Sequence, residues 1–199
     1  DDRRIVSPSL WFNYQAADEG RTRFTAVSPS VTLRLSSRWS SSLRLDFRRN
    51  RDDRQWYGNF TGPDGTTRYT FARLEQQTTS ISTRLNYTFT PNLTIQGYAE
   101  AFVSKGEYGD VRELADPRAV KYQDRFTPYG ANPGAFNYKQ LRSNVVLRWE
   151  YKPGSALFLV WQQGKSDYED FGDFRFGRDF RGVFAAPSRF ESFGLIFVE

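Results

Sequence analysis

The sequence predicts an all-β fold: an antiparallel up-and-down transmembrane β-barrel with about eight strands in this chain, standing alone or as part of a larger barrel. Three observations predict it. Apolar and polar residues alternate with period two over long stretches, while helical periodicity is scarce. Tight turns alternate with longer connections, the asymmetry of barrels with short periplasmic turns and long extracellular loops. Aromatic residues gather beside the tight turns, as an interfacial girdle does.

Strands are expected near 3–15, 21–36, 41–52, 67–90, 93–105, 136–152, 155–168 and 190–198, and no helix is required. The first rests on Val6, Leu10, Phe12 and Tyr14. In the second, Val31, Leu33 and Leu35 alternate with Thr32, Arg34 and Ser36. A Ser-rich turn at 37–41 leads to Leu43, Leu45 and Phe47, alternating with Arg44, Asp46 and Arg48. The fourth strand is the clearest: Ile81, Thr83, Leu85, Tyr87 and Phe89 on one face, Ser82, Arg84, Asn86 and Thr88 on the other. Pro91-Asn92 then turns the chain into Leu93, Ile95, Gly97, Ala99, Ala101 and Val103. Leu141, Ser143, Val145, Leu147, Trp149 and Tyr151 alternate with Arg142, Asn144, Val146, Arg148 and Glu150. Lys152-Pro153-Gly154-Ser155 turns into Leu157, Leu159 and Trp161, and Phe193, Leu195 and Phe197 form the last strand.

The connections alternate in kind. Those after the second, fourth and sixth strands are tight, while stretches near 50–66, 106–135 and 169–189 are long; the first, 16–20, is shorter but belongs to the second set. This parity puts both chain ends on the periplasmic side. Gly62-Pro63-Asp64-Gly65, Asp116-Pro117 and Asn132-Pro133-Gly134 punctuate the long stretches. Trp39 falls in one tight turn, while Tyr87, Phe89, Trp149 and Tyr151 lead into the others; these five are the expected aromatic girdle. Residues 81–89, 93–103 and 141–151 match the ~9–11 residues a tilted strand needs to cross a bilayer.

Composition narrows the function. The 199 residues carry 28 Lys and Arg against 23 Asp and Glu, a net charge of +5 spread without any basic block, so no nucleic-acid partner is expected. Cys, His and Met are absent. That removes disulfides, thiolate metal sites and the commonest general base, so Ser–His–Asp and Cys–His catalysis are excluded and no enzymatic role is expected. No apolar run reaches the ~18 residues of a transmembrane helix, and mean hydropathy is −0.68 despite 18 Phe, 11 Tyr and 5 Trp. A barrel tolerates this, because only alternate residues face lipid. The opening Asp1-Asp2-Arg3-Arg4, without Met, suggests a removed leader or N-terminal region.

The polar parity gathers Arg34, Arg44, Asp46, Arg48, Arg84, Glu100, Arg142, Arg148 and Glu150, the expected lumen-facing charges. In a narrow barrel they would pair as a salt-bridged interior; in a wider one they would form an Arg-rich pore selecting anions. The stretch 165–181 holds Asp167, Glu169, Asp170, Asp173, Arg175 and Arg178 as loop ligand candidates. Its four carboxylates could hold Ca²⁺, though the spacing is not an EF-hand and a solvated acidic loop fits better. Its Arg and aromatic residues could grip sugars or lipopolysaccharide phosphate. No cofactor or metal site is expected.

The run Leu85-Asn86-Tyr87-Thr88-Phe89-Thr90-Pro91-Asn92-Leu93, within 84–108, resembles a family of bacterial outer-membrane barrel domains of unknown function. The resemblance continues through Phe136-Asn137-Tyr138, then Asn144-Val145-Val146-Leu147-Arg148-Trp149-Glu150-Tyr151, Gly154-Ser155 and Phe158-Leu159-Val160-Trp161-Gln162-Gln163. It covers roughly 80–190, and the first eighty residues fit by pattern only. It implies a cell outer-membrane location and a C-terminal barrel behind a module resembling family-nine carbohydrate-binding domains, which this chain lacks. The ending Phe197-Val198-Glu199 is not the aromatic finish common at barrel C-termini, which suggests a fragment of a larger barrel. The expected role is a pore, transport element or membrane anchor for a periplasmic or carbohydrate-binding module of the full-length protein, with outer-membrane lipid and lipopolysaccharide as partners. The alternative is a soluble β-sandwich or small barrel whose aromatic and Arg-rich loops bind glycans or lipopolysaccharide. Residues 1–199 are read as one domain.

Overall fold

The computed structural model describes residues 4–131 and 134–198. Expectations resting on residues 1–3, 132, 133 and 199 lie outside these. Nine strands form a single antiparallel sheet: β1 (Val6–Ala17), β2 (Thr22–Ser36), β3 (Trp39–Thr61), β4 (Thr67–Thr90), β5 (Leu93–Leu114), β6 (Phe126–Pro128), β7 (Ala135–Lys152), β8 (Ser155–Glu169) and β9 (Ser188–Val198). Apart from short β6, which pairs with the end of β5, sequence order is spatial order. The sheet is open: β1 and β9 each pair on one side only. All eight expected strands are present, and the alternation that predicted them sets their pairing.

Three expectations need correction. The tight turn after β2 is Ser37-Arg38 alone, and Trp39 opens β3. The stretches near 50–66 and 106–135 are not loops throughout: β3 runs to Thr61, closed by a hairpin at 62–66, and β5 runs to Leu114. Nor is the chain free of helix. Phe176–Ala185 forms α1, and single 3-10 turns lie at Asp18–Gly20 and Tyr122–Arg125. No helix among the described residues is long and apolar enough to cross a membrane.

Turn chemistry fits the sharp reversals. Gly65 and Gly154 take positive φ, at 76° and 85°, which glycine adopts without steric cost. Asp64 Oδ1 accepts hydrogen bonds from the Thr66 backbone N–H at 3.1 Å and hydroxyl at 2.7 Å, closing the β3–β4 hairpin.

The register assigns faces. One transverse row reads Val27, Phe47, Thr79, Val103, Lys139; the next towards the long connections reads Thr25, Arg49, Gln77, Lys105, Asn137; the third reads Arg23, Arg51, Glu75, Glu107. Apolar side chains thus occupy one face up to a boundary beyond which the same face turns polar. The boundary is diagonal. Its last apolar residues are Tyr14 on β1, Val27 on β2, Phe47 on β3, Ile81 on β4, Val103 on β5, Leu141 on β7, Trp161 on β8 and Phe193 on β9, level or nearly so from β2 to β5 and falling most between β7 and β8. From β1 to β9 it descends four rows, about 27 Å of strand, across seven inter-strand spacings, about 34 Å.

Only a small cluster on that face is covered. Phe180 and Val183 of α1 pack on Ala101, Val103 and Leu141, with Ile81 and Phe174 beside them. Elsewhere the face is open: Leu10 and Phe193 are each 70% exposed, Phe12 and Phe197 each 62%.

Two glycines sit beneath cross-strand aromatic rings: Gly106 opposite Phe136 and Gly164 opposite Phe190. A Cβ on Gly106 would overlap the Phe136 ring and approach Leu74 Cδ1 at 3.1 Å. Gly106→Val should therefore destabilise the fold by about 1–3 kcal/mol, read as a lower urea midpoint. An unchanged midpoint would refute the ring-over-glycine contact.

Candidate functional site

The face opposite the apolar band carries the charges. All nine residues expected on the polar parity, Arg34, Arg44, Asp46, Arg48, Arg84, Glu100, Arg142, Arg148 and Glu150, share it by register. Their strands hold them as transverse neighbours: Arg44, Ser82, Glu100 and Arg142 form one row, Ser42, Arg84, Tyr98 and Asn144 the next. Seven side chains line a cleft of about 380 Å³ here: Ser42, Arg44, Asp46, Ser82, Arg84, Tyr98 and Glu100.

Contacts within it are specific. The Ser28 hydroxyl donates to Asp46 Oδ1 at 2.5 Å, and Arg48 lies 3.6 Å from the same oxygen. The Tyr98 hydroxyl donates to Glu100 at 2.9 Å, and the Arg84 guanidinium sits 4.8 Å from the Tyr98 ring centre, within cation–π range. Nearer the tight turns Arg148 donates to Glu150 at 2.6 Å. Asp46 is buried while Arg44 and Arg142 are exposed, so the face is wet and only partly neutralised. Such a surface can attract anions and orient them.

The girdle residues meet at the tight-turn end. Trp39 and Tyr87 pack edge to face at 5.5 Å, Tyr87 and Phe89 at 4.7 Å, and Trp149 and Tyr151 at 6.1 Å. Trp39, Phe89, Trp149 and Tyr151 remain exposed.

Of the loop ligand candidates, Asp173, Arg175 and Arg178 come together, while Asp167, Glu169 and Asp170 stand apart from them. Asp167 and Glu169 belong to β8, while Asp170, Asp173 and Arg175 precede α1 and Arg178 lies within it. Among the described residues no group of three or more carboxylates gathers to hold a metal. The charges pair with cations instead: Asp173 with Arg175 at 3.3 Å and Arg178 at 3.1 Å, Glu169 with Lys139.

Sequence reasoning missed Asp179, the pivot of this segment. It is fully buried, contacting Arg178 at 3.0 Å, Lys139 at 3.5 Å, Asn137 at 3.3 Å and the Arg175 backbone N–H at 2.6 Å. Burial pushes its carboxyl pKa up, but the Arg178 hydrogen bond, the Arg175 N–H and the nearby Lys139 charge outweigh burial and hold it below the ordinary carboxylate value. Also missed was the anchor of the 115–131 connection. Buried Asp53 lies 3.2 Å from Arg112, and its carbonyl accepts from Arg112 at 2.6 Å and from the Tyr122 hydroxyl at 3.1 Å. Burial and the Asp53 charge raise the Tyr122 pKa to about 12. Both Asp residues looked like ordinary loop carboxylates; their partners lie 40 to 70 residues away.

Fold and site together define an all-β protein: one open antiparallel sheet with an apolar band on one face and paired charges on the other. The chain belongs to the family of a domain of unknown function, DUF5916, whose sequence model matches residues 1–196. The match includes the first eighty residues, where resemblance rested on pattern alone. No curated protein and no solved structure matches the chain.

Asp179→Ala should free α1, since removing one partner of a buried ion pair costs about 3–5 kcal/mol; Lys139 keeps Glu169, but the Arg178, Asn137 and Arg175 N–H contacts lose their acceptor. Hydrogen exchange across 174–187 should accelerate while β4 and β5 stay protected; uniform acceleration would contradict a local role. Because the folded pKa of Asp179 is depressed, its contribution is complete above its unfolded value, 3.8, and is lost as pH falls further. Docking of α1 should thus be constant from neutral pH to about 4 and weaken below. Tyr122 has the opposite sign: its raised pKa stabilises the folded loop up to pH 10, and that contribution is lost between 10 and about 12. Alkaline titration should release 115–131 in that window, and Tyr122→Phe should abolish the step.

Proposed function

We propose that this chain is a wall of a bacterial outer-membrane β-barrel, acting as a pore, transport element or membrane anchor. The observation that carries the reading is the diagonal apolar boundary. A drop of about 27 Å across about 34 Å of sheet is a slope near 40°, within the ~35–45° tilt of strands in membrane barrels. A soluble sheet has no reason to shear its apolar stripe in one net direction against its own register; a flat bilayer cutting tilted strands requires it. Along β3, Trp39 to Phe47 spans about 27 Å of strand, about 21 Å along the barrel axis at that tilt, near the ~25 Å apolar band of such barrels.

Other features support the same reading. The tight turns and girdle aromatics lie at one end. Large apolar side chains are exposed across the band and on both edge strands, a cost in water but not in lipid. Two open edges suit a sheet that continues into further strands. Helix α1 lies at the upper edge of the band with Phe176 and Phe184 outward, as an interfacial helix would. On the opposite face, six Arg against three carboxylates suits a lumen that admits anions. The competing reading, a soluble glycan-binding sandwich, is less well supported, because all nine strands belong to one sheet.

Detergent-folded protein should show heat-modifiable gel migration and float with phosphatidylcholine vesicles. A monodisperse, β-folded protein in plain buffer would overturn the reading. Leu147→Arg should cost about 2–4 kcal/mol in lipid, as charge at the membrane midplane does, whereas Arg148→Leu next to it, on the other face, should cost far less. If the chain forms part of a conducting barrel, Arg44→Ala with Arg84→Ala should shift the reversal potential in a salt gradient towards cation preference.

A further inference from the structure

Just beyond the apolar boundary, on the same face, lies a second cleft of about 470 Å³. Tyr14, Thr25, Arg49, Gln77 and Lys105 form its first row, and Arg23, Arg51, Glu75 and Glu107 its second. Four cations face two carboxylates. Both carboxylates are engaged: Glu75 lies 3.8 Å from Arg51 and 3.5 Å from Arg73, and Glu107 lies 3.4 Å from Lys105. Arg51 stands directly opposite Arg23 across the β2–β3 pair, two like charges side by side, with Arg23 Nε donating to the Gly20 carbonyl at 2.7 Å. Arg49, exposed, shows no hydrogen bond or ion pair to any described residue.

A third cavity, about 300 Å³, adjoins this cleft on the side of the band. The two share Thr25, Arg49 and Gln77; the lower one is walled by Val27, Phe47, Thr79 and, from the segment before α1, Phe174. A cationic pocket thus opens directly into an apolar trough. A free phosphate would satisfy the upper cleft and leave the trough unused; a hydrocarbon would do the reverse. The ligand that fills both is an amphiphile with a phosphate head and an acyl chain.

We propose that these adjoining cavities bind a phosphorylated membrane lipid. Its phosphate is held by Arg49 with Arg23, Arg51 and Lys105, and one acyl chain lies along Val27, Phe47 and Phe174. Guanidinium groups suit this role, since each can pair two phosphate oxygens in parallel. The site rests on the membrane reading for its orientation: it places the head group where the apolar band ends, at the rim bearing the long connections. Phe174 is fixed over the trough by the buried Asp179 anchor of α1, so the sequence-distant loop completes the site.

The test uses the full chain in dodecyl maltoside micelles, titrated separately with dioctanoyl phosphatidic acid, dioctanoyl glycerol and inorganic phosphate. Phosphatidic acid should bind tightest. Arg49→Gln should weaken it about tenfold, the loss expected for a charge-assisted contact, and Phe174→Ala should weaken phosphatidic acid without changing inorganic phosphate. Equal affinity for glyceride and phosphatidic acid, or an Arg49→Gln protein that binds as the wild type does, would overturn the proposal. Equal affinity for inorganic phosphate and phosphatidic acid would overturn the lipid assignment. Flotation with neutral phosphatidylcholine vesicles is measured on the same variants. A wild type that floats but shows no preference for phosphatidic acid overturns this site alone, whereas failed flotation of the wild type overturns the membrane reading.

Discussion

Antiparallel backbone pairing between sequence neighbours is the constraint on which this structure depends. Every principal strand pairs with the next in the chain, so each register is fixed by a hairpin or a single connection. Because side chains alternate with period two, one register error would carry a whole strand's apolar set to the charged face. The sequence guards against this by keeping parity constant through each turn: Leu85 and Tyr87 before Pro91-Asn92 share a face with Ile95 and Gly97 after it. The two faces, the diagonal band and both clefts follow from that one rule propagated across the sheet.

What was legible in the sequence is what alternation can encode. Where one face is apolar and the other polar, as at 81–89 or 141–151, strand and parity could both be read. Where both faces are polar the signal vanishes although the pairing continues. Asp53-Arg54-Gln55, just past the expected strand end at 52, looks like a loop, yet β3 continues through it to Thr61, with Gln55 paired to Ala72 of β4. The helix was illegible for a different reason. It has ten residues, two of them glycine, no side-chain cap, and a buried face formed by Asp179, Phe180 and Val183. A carboxylate at the centre of a buried stripe breaks the apolar periodicity that marks a helix, and its partners Lys139 and Asn137 belong to a strand some forty residues earlier. The family resemblance supplied no functional residue, so the charged cleft rests on parity alone.

Helix α1 shows how a polar anchor and an apolar contact divide the work. Phe180 and Val183 supply attraction to the sheet but little direction, because apolar contact is non-directional. Asp179 fixes position: it can meet Lys139, Asn137 and the Arg175 N–H together only where the helix now sits. The penalty for burying the carboxylate is offset only when all these partners are present, so the anchor discriminates strongly between the docked arrangement and any other. That explains how a segment with two glycines and no cap holds Phe174 over a particular trough.

For a sheet that is a barrel wall, as proposed above, charge balance on the polar face constrains what it encloses. Six arginines, Arg34, Arg44, Arg48, Arg84, Arg142 and Arg148, face three carboxylates, Asp46, Glu100 and Glu150. Eight strands closed on themselves would make a narrow barrel filled by side chains, and an excess of guanidinium charge over carboxylate in a dry interior would be costly. The exposure of Arg44 and Arg142 fits a wet surface instead. The two unpaired edges point the same way: continuing the sheet widens the enclosure, admits water to solvate the excess arginines, and removes the exposed apolar edges of β1 and β9 at once. The electrostatics of one face and the open hydrogen bonds of the edges thus both fit the proposed larger ring with an aqueous, anion-attracting interior.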